Sequence, residues 1–285
     1  MNEPLKIDVR AAVEAKMPGR RLPGFVIRYL ERIVHVREMN EFLKVHTTER
    51  DFDFARVYIT EGLHCTYSVD GTENIPDSDA PLLFVSNHPL GGLDGIVLAL
   101  MLGEIRNYRL RLIVTDLLLY IKPLNGIFVP VNKVGKQSRE YAQKQQELWE
   151  SDMDILSFPA GACSRLQHID GEGLVIKDLE WQKSFVRNAV KYKRDVVPIC
   201  FDGKNSRFFY RLAYWRKKLG IKTNIEMLYL ADEMYKASGT HFTARIGKPI
   251  PYTTFDSSRT PQQWAQYVKD KVYELKPADK KQNVQ

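Results

Sequence analysis

Residues 81–86, Pro-Leu-Leu-Phe-Val-Ser, run straight into Asn87-His88-Pro89-Leu90-Gly91-Gly92-Leu93-Asp94-Gly95 and then into Ile-Val-Leu-Ala-Leu-Met-Leu at 96–102. The first piece is a continuous apolar run of strand length, the second a polar loop rich in glycine, and the third an apolar stretch of helical character. A strand without polar alternation is one covered on both faces, as in a parallel sheet. Further runs of the same kind follow at 110–114 (LRLIV), 127–131 (IFVPV), 154–158 (DILSF), 196–201 (VVPICF) and 242–247 (FTARIG). Helical patterns lie between them. Trp181, Phe185, Ala189 and Tyr192 recur at helical spacing. Thr260-Pro261-Gln262-Gln263 reads as a capping box opening a last helix striped by Trp264, Val268, Val272 and Leu275. The pattern predicts an α/β fold with a largely parallel sheet flanked by helices.

Ahead of this block, residues 22–43 (LPGFVIRYLERIVHVREMNEFL) read as a helix starting after Pro23, with Val26, Leu30 and Ile33 on one face and arginines on the other. Such a helix either packs on its own domain or lies at a membrane interface. The expected organisation is a helical segment over 1–75, able to lie against a membrane, an α/β domain over 76–275, and a flexible tail over 276–285.

The 285 residues are 44% hydrophobic and 27% charged, which excludes disordered, collagen-like and coiled-coil classes. Three cysteines without a CxxC pair point to neither a disulfide framework nor a zinc site. The first residues lack the apolar core of a signal peptide, and no run reaches the ~18 apolar residues of a spanning helix. A cytoplasmic-type protein without a span is expected. The net charge of +7 suits an anionic surface or substrate, or simply a well-solvated exterior. Basic residues from Lys204 to Lys222 interleave with Phe208, Phe209, Tyr210, Tyr214 and Trp215. The first reading of that run is a helix with an aromatic core face and a solvated basic face. Membrane contact comes second, and no nucleic-acid partner is expected. The other histidines show no ligand spacing, so no metal is expected, and no phosphate-binding loop or dinucleotide fingerprint is present.

In open α/β sheets, ligands bind beyond the carboxyl ends of strands, which is where the 87–95 loop falls. A histidine there can take a proton from a hydroxyl near neutral pH once its tautomer and orientation are fixed. A carboxylate can fix both through the other ring nitrogen. Gly91 and Gly92 allow the loop to fold back and bring Asp94 to His88. In the competing reading Asp94 only caps the following helix and His88 is an ordinary loop residue.

This loop resembles the Asn-His-x4-Asp block of the glycerolipid acyltransferases, the lysophosphatidate acyltransferase-like superfamily. Three further blocks recur in order: Asn125-Gly126-Ile127-Phe128-Val129-Pro130-Val131-Asn132-Lys133, Phe158-Pro159-Ala160-Gly161-Ala162-Cys163-Ser164-Arg165, and Val197-Pro198-Ile199. The resemblance covers about residues 80–205. Three departures stand out. Five residues, not four, separate His88 from Asp94; Ala160 replaces the glutamate of the third block; and Asn132 falls near the usual arginine of the second. The Phe-Pro-Ala-Gly block with its following Ser-Arg resembles bacterial acyltransferases related to those making ornithine or glycine lipids.

The resemblance implies a peripheral O-acyltransferase on the cytoplasmic face of a membrane. His88 would be the general base on an acceptor hydroxyl, and Asp94 would orient it. Backbone N–H groups near Gly161, or in the loop after His88, would supply the oxyanion donors. Expected substrate contacts are Asn87, Asn132, Lys133, Gly161, Ser164 and Arg165. The donor would be an acyl-carrier-protein or coenzyme A thioester, with no further cofactor. The acceptor would be a lyso-lipid, with a lyso-aminolipid favoured over lysophosphatidate. Two other readings remain open: a hydrolase using the same pair on water, and a lipid-binding protein without turnover. Cys163 is read as a buried thiol rather than a nucleophile.

Overall fold

The computed structural model describes residues 6–16, 19, 22–115, 118–119, 121–131, 139–169, 171 and 173–277. Seven strands form one sheet: β1 (Thr66–Asp70), β2 (Leu83–Ser86), β3 (Leu110–Thr115), β4 (Phe128–Val131), β5 (Asp154–Ser157), β8 (Val196–Phe201) and β9 (His241–Ile246). The remaining two, β6 (Arg165–Ile169) and β7 (Gly173–Lys177), make a separate antiparallel hairpin. The order across the large sheet is β1-β9-β8-β2-β5-β3-β4, and only the β8/β9 pair is antiparallel. β2 is therefore the central strand, paired on one side with β5 and on the other with β8.

Burial explains the unbroken apolar runs. Phe84 of β2 and Val197, Ile199 and Phe201 of β8 enter one core, together with α4 (Asp51–Val57) and α5 (Leu93–Ile105). Leu83 and Val85 of β2, with Val196 and Cys200 of β8, enter the core on the opposite face, formed with α7 (Ser184–Lys191) and α10 (Pro261–Glu274). Alternate residues of each strand thus serve two helix layers, which is why the strands read as continuous apolar runs. α5, the helix that leaves the functional loop, is buried from Leu93 through Gly103. The capping box of α10 forms as its sequence predicts, and Trp264, Val268 and Val272 face the core.

The N-terminal region departs from its sequence reading in two ways. Residues 22–43 do not form one helix. α2 (Gly24–Ile33) and α3 (Val36–Val45) are separated at His35, whose φ of 53° lies in the left-handed region. His35 holds this corner by stacking on Tyr235 and bonding Asp232 at 3.1 Å. The expected boundary at residue 75 also falls inside the fold. β1 is the edge strand of the main sheet, and Met39 and Leu43 of α3 join the same core as α5. Of the expected tail, residues 278–285 lie outside the described residues.

Candidate active site

β2 ends at Ser86, and Asn87 prolongs its pairing with β8 by side chain. The Asn87 amide group donates to the Phe201 carbonyl at 2.9 Å, while its carbonyl oxygen accepts from the Phe201 N–H at 2.7 Å. Asn87 is buried, and both ends of its side chain are spent on this clasp. Asn87, an expected substrate contact, here fixes the point where the chain leaves the sheet.

From there the loop curls back. His88 Nδ1 lies 3.0 Å from Asp94 Oδ2, so the pair meets across five intervening residues. Asp94 sits in the first turn of α5 and is wholly buried. Its Oδ2 also accepts from the backbone N–H groups of Leu90 and Gly91, and Oδ1 from that of Gly95. Burial alone would raise its pKa, but His88 and the two loop amides outweigh it and hold the carboxyl below its ordinary range. The N-terminus of α5 favours the same negative charge. An ionised carboxylate only accepts, so Nδ1 carries the proton and Nε2 presents the lone pair. The imidazole stacks on Phe158 with 4.1 Å between ring centres, and 15% of the side chain reaches solvent. The geometry combines both readings of Asp94: it steadies the start of the helix and aims the histidine.

A residue that sequence reasoning missed holds the loop from behind. Asp178, just past β7, is buried. It accepts from the His88 backbone N–H at 3.1 Å, from the Ser164 hydroxyl at 2.6 Å and from the Trp181 indole at 2.9 Å. Ser164 closes the ring by donating its N–H to the His88 carbonyl at 2.7 Å. Asp178 is in turn held by α10: its N–H bonds the Tyr273 hydroxyl, and Lys269 donates to the carbonyls of Asp178 and Leu179. Burial pushes the Lys269 amine down from its ordinary value.

The third block serves this scaffold. The Gly161 N–H donates to the Phe158 carbonyl in a tight turn with Gly161 at φ +66°, so that amide is committed within the turn and not offered to an oxyanion. Ser164, an expected substrate contact, is buried with its hydroxyl engaged on Asp178. Arg165 is likewise buried. It donates to the carbonyl and Sγ of Cys163 and to Glu226 at 3.0 Å, while Arg216 approaches the other Glu226 oxygen at 2.8 Å. The guanidinium expected to contact substrate is thus engaged in an ion triad and lies over the Phe209 ring. Asn132 and Lys133 lie outside the described residues. Cys163 is buried and its thiol pKa is pushed up to about 11 by burial, which suits packing rather than nucleophilic attack.

A histidine at a strand end, oriented through Nδ1 by a buried carboxylate, is equipped to deprotonate a hydroxyl with Nε2. A family model described as "Acyltransferase" matches residues 10–281. The chain belongs to that family. The acyltransferase is 46% identical to the lyso-glycine lipid O-acyltransferase of Bacteroides thetaiotaomicron over 94% of its own length and 97% of that relative's. It is 47% identical to the protein of the same name in Phocaeicola vulgatus, over 94% and 95%. Among solved structures it is similar to the 1-acyl-sn-glycerophosphate acyltransferase PlsC of Thermotoga maritima. That match has 18% identity and a TM-score of 0.46, covering 94% of this chain and 92% of the other. Among the described residues no helix of the acyltransferase is long and apolar enough to cross a membrane, and no group of three metal-binding side chains is assembled.

Proposed function

We propose that this acyltransferase moves a fatty acyl chain from a carrier-protein or coenzyme A thioester to the hydroxyl of a lyso-glycine lipid. The observation that carries the chemistry is the His88–Asp94 pair, closed at 3.0 Å through Nδ1, which leaves Nε2 as the basic nitrogen. His88 Nε2 takes the hydroxyl proton as the acceptor oxygen attacks the thioester carbonyl carbon. The tetrahedral intermediate collapses with loss of the C–S bond, and the imidazolium returns its proton to the departing sulfur. Asp94 stabilises the imidazolium between these steps, and no acyl-enzyme forms. The acceptor is supported by the names of the two relatives and by Arg165, which is spent on Glu226 and not offered to a phosphate.

A lipid acceptor, a net charge of +7 and a basic, aromatic-edged α2 support work at the cytoplasmic face of a membrane, where anionic lipid attracts cations. The test is transfer of labelled acyl chains from each donor to lyso-glycine lipid, lyso-ornithine lipid and lysophosphatidate, with His88→Ala alongside. Label is expected in the lyso-glycine lipid, falling by roughly a thousandfold or more with His88→Ala. Label in lysophosphatidate alone would replace the acceptor. Free fatty acid released without an acceptor would replace the transferase with a hydrolase.

A further inference from the structure

The run from Lys204 to Lys222 does more than its first reading allowed. α8 (Arg207–Lys218) buries Phe209, Tyr210 and Ala213 against the domain, which is the expected aromatic core face. Its opposite side is not purely basic. Phe208, Trp215 and Leu219 follow one another at spacings of seven and four, so they share one outward face, with Arg211 among them. Trp215 is 53% exposed and Leu219 70%. The 3₁₀ turn Ile225–Tyr229 lies alongside and leaves Met227 and Leu228 open to solvent. The patch is continuous with α2: the Tyr229 ring meets Phe208 at 5.0 Å, and its hydroxyl bonds that of Tyr29. Phe25 of α2, also exposed, extends it.

Charge says what this face meets. Residues 203–225 hold seven lysines and arginines and no acidic residue, and Glu226, which follows, is buried between Arg165 and Arg216, so the apolar stripe runs beside a strongly cationic stretch. Lys218 Nζ sits 5.0 Å over the Trp215 ring. Aromatic rings and leucines set among snorkelling cations suit the headgroup boundary of an anionic bilayer. A soluble acidic protein would use the charges but would not need the leucines.

The base of this patch is bolted to the active site. Asn205 donates to the Pro89 carbonyl at 3.3 Å, Glu226 binds Arg165, and the side chain of Leu230 packs at Gly91. We propose that the outer face of α8 and the following 3₁₀ turn form an arm that docks on anionic bilayer, joined to α2, and sets the His88 loop at the lipid surface. The inference rests on the reading of the protein as an acyltransferase for a bilayer-borne lipid.

Trp215 supplies its own reporter, because the other three tryptophans are buried. Purified full-length protein is mixed with vesicles of phosphatidylglycerol and phosphatidylcholine, and with phosphatidylcholine alone. Expected results are a blue shift of emission with anionic vesicles that is absent in Trp215→Phe, and quenching by brominated lipid. The triple variant Trp215→Ser, Leu219→Ser, Leu228→Ser lowers vesicle partition by roughly tenfold or more. Lys217→Glu, Lys218→Glu, Lys222→Glu lowers it by about a hundredfold, as raised salt does in part. All six positions are exposed, so transfer to detergent-dispersed acceptor is expected to persist in both variants. Unchanged partition in the serine variant, or no Trp215 shift, overturns the proposal. So does a charge-reversed variant that keeps its vesicle binding but loses turnover only with the carrier-protein donor, which assigns the face to an acidic protein. Vesicle binding without transfer to any dispersed acceptor would instead remove the catalytic reading and leave the arm standing.

Discussion

The side chain of Cys163 occupies the space a side chain at Gly91 would need: a Cβ on Gly91 would stand 2.8 Å from Cys163 Cβ and 3.0 Å from Sγ. Gly91 also has φ +80°, whereas its neighbour Gly92 is extended and has nothing within 4 Å of a Cβ. The two glycines of one doublet thus do different jobs. Gly91→Ser is expected to cost about 1–3 kcal/mol through crowding and backbone strain, and to disturb the turn that returns Asp94 to His88. Gly92→Ser, at the helix N-cap where serine is favoured, stays within about 0.5 kcal/mol of wild type. Paired thermal melts and initial rates check this, and equal damage from both substitutions would refute it.

The same Cys163 should be chemically silent. With the thiol pushed up to about 11 and fully buried, thiolate is scarce at neutral pH. Cys163→Ala is expected to retain turnover, and iodoacetamide to leave the native enzyme active. Donor-protected inactivation by iodoacetamide would instead point to an acyl-cysteine intermediate.

Much of this arrangement is legible in the sequence wherever partners are neighbours along the chain. The apolar runs gave β2, β3, β4, β5, β8 and β9, because burial on both faces leaves no polar alternation to confuse with a loop. His88 and Asp94, six positions apart, are close enough for a glycine turn to join. β1 and the β6–β7 hairpin escaped, since edge and surface strands carry residues such as Ser68, Gln167 and His168 that break the apolar signal. Asp178 could not be singled out, because it meets His88 from 90 residues away and no local spacing marks it. The pairing of Arg165 is hidden for a related reason. Its counter-ion Glu226 comes 61 residues later, and a lone arginine beside a glycine turn resembles an anion clamp until that partner is seen.

On the proposed mechanism Asp178 acts through the His88 backbone and Ser164, so its loss should show in turnover more than in binding. Asp178→Ala is expected to lower kcat by about a hundredfold, the size of effect a misplacement near 1 Å produces, with KM for either substrate changed less than threefold. Ser164→Ala removes one of the same contacts and should give a smaller loss with the same signature. A rise in KM at constant kcat would mean that Asp178 serves substrate binding instead.

The Arg165–Glu226–Arg216 triad predicts a stability effect where an anion clamp predicts a binding one. Glu226→Gln leaves the buried Arg165 and the half-buried Arg216 short of charge and is expected to cost about 3 kcal/mol in unfolding free energy. Arg165→Met alone strands Glu226 in part. Combined with Glu226→Gln it should cost less than the sum of the two single changes, giving a coupling energy of about 1–3 kcal/mol. KM for the lyso-lipid should stay near wild type in any Arg165 variant that remains folded. A selective rise in that KM without loss of stability would restore the clamp.

On the proposed mechanism Asp94 ties catalysis to acid stability, with a definite sign. Its carboxyl titrates below the ordinary aspartate value of 3.8 in the folded protein, so the folded state binds fewer protons there than the unfolded one. The stabilisation is therefore complete above that ordinary value and is lost as pH falls through the lower folded one. Asp94→Asn places an NH2 where amide N–H groups and the Nδ1 proton converge, or else faces them with one neutral oxygen. Either way it forfeits the charge that steadies the imidazolium. Transfer is expected to fall by roughly a thousandfold or more at neutral pH. In denaturant titrations, the stability gap between wild type and Asp94→Asn should close as pH falls below about 4. A gap that instead kept widening below about pH 4 would mean that the folded protein prefers the protonated acid, and that Asp94 does not hold His88 by charge.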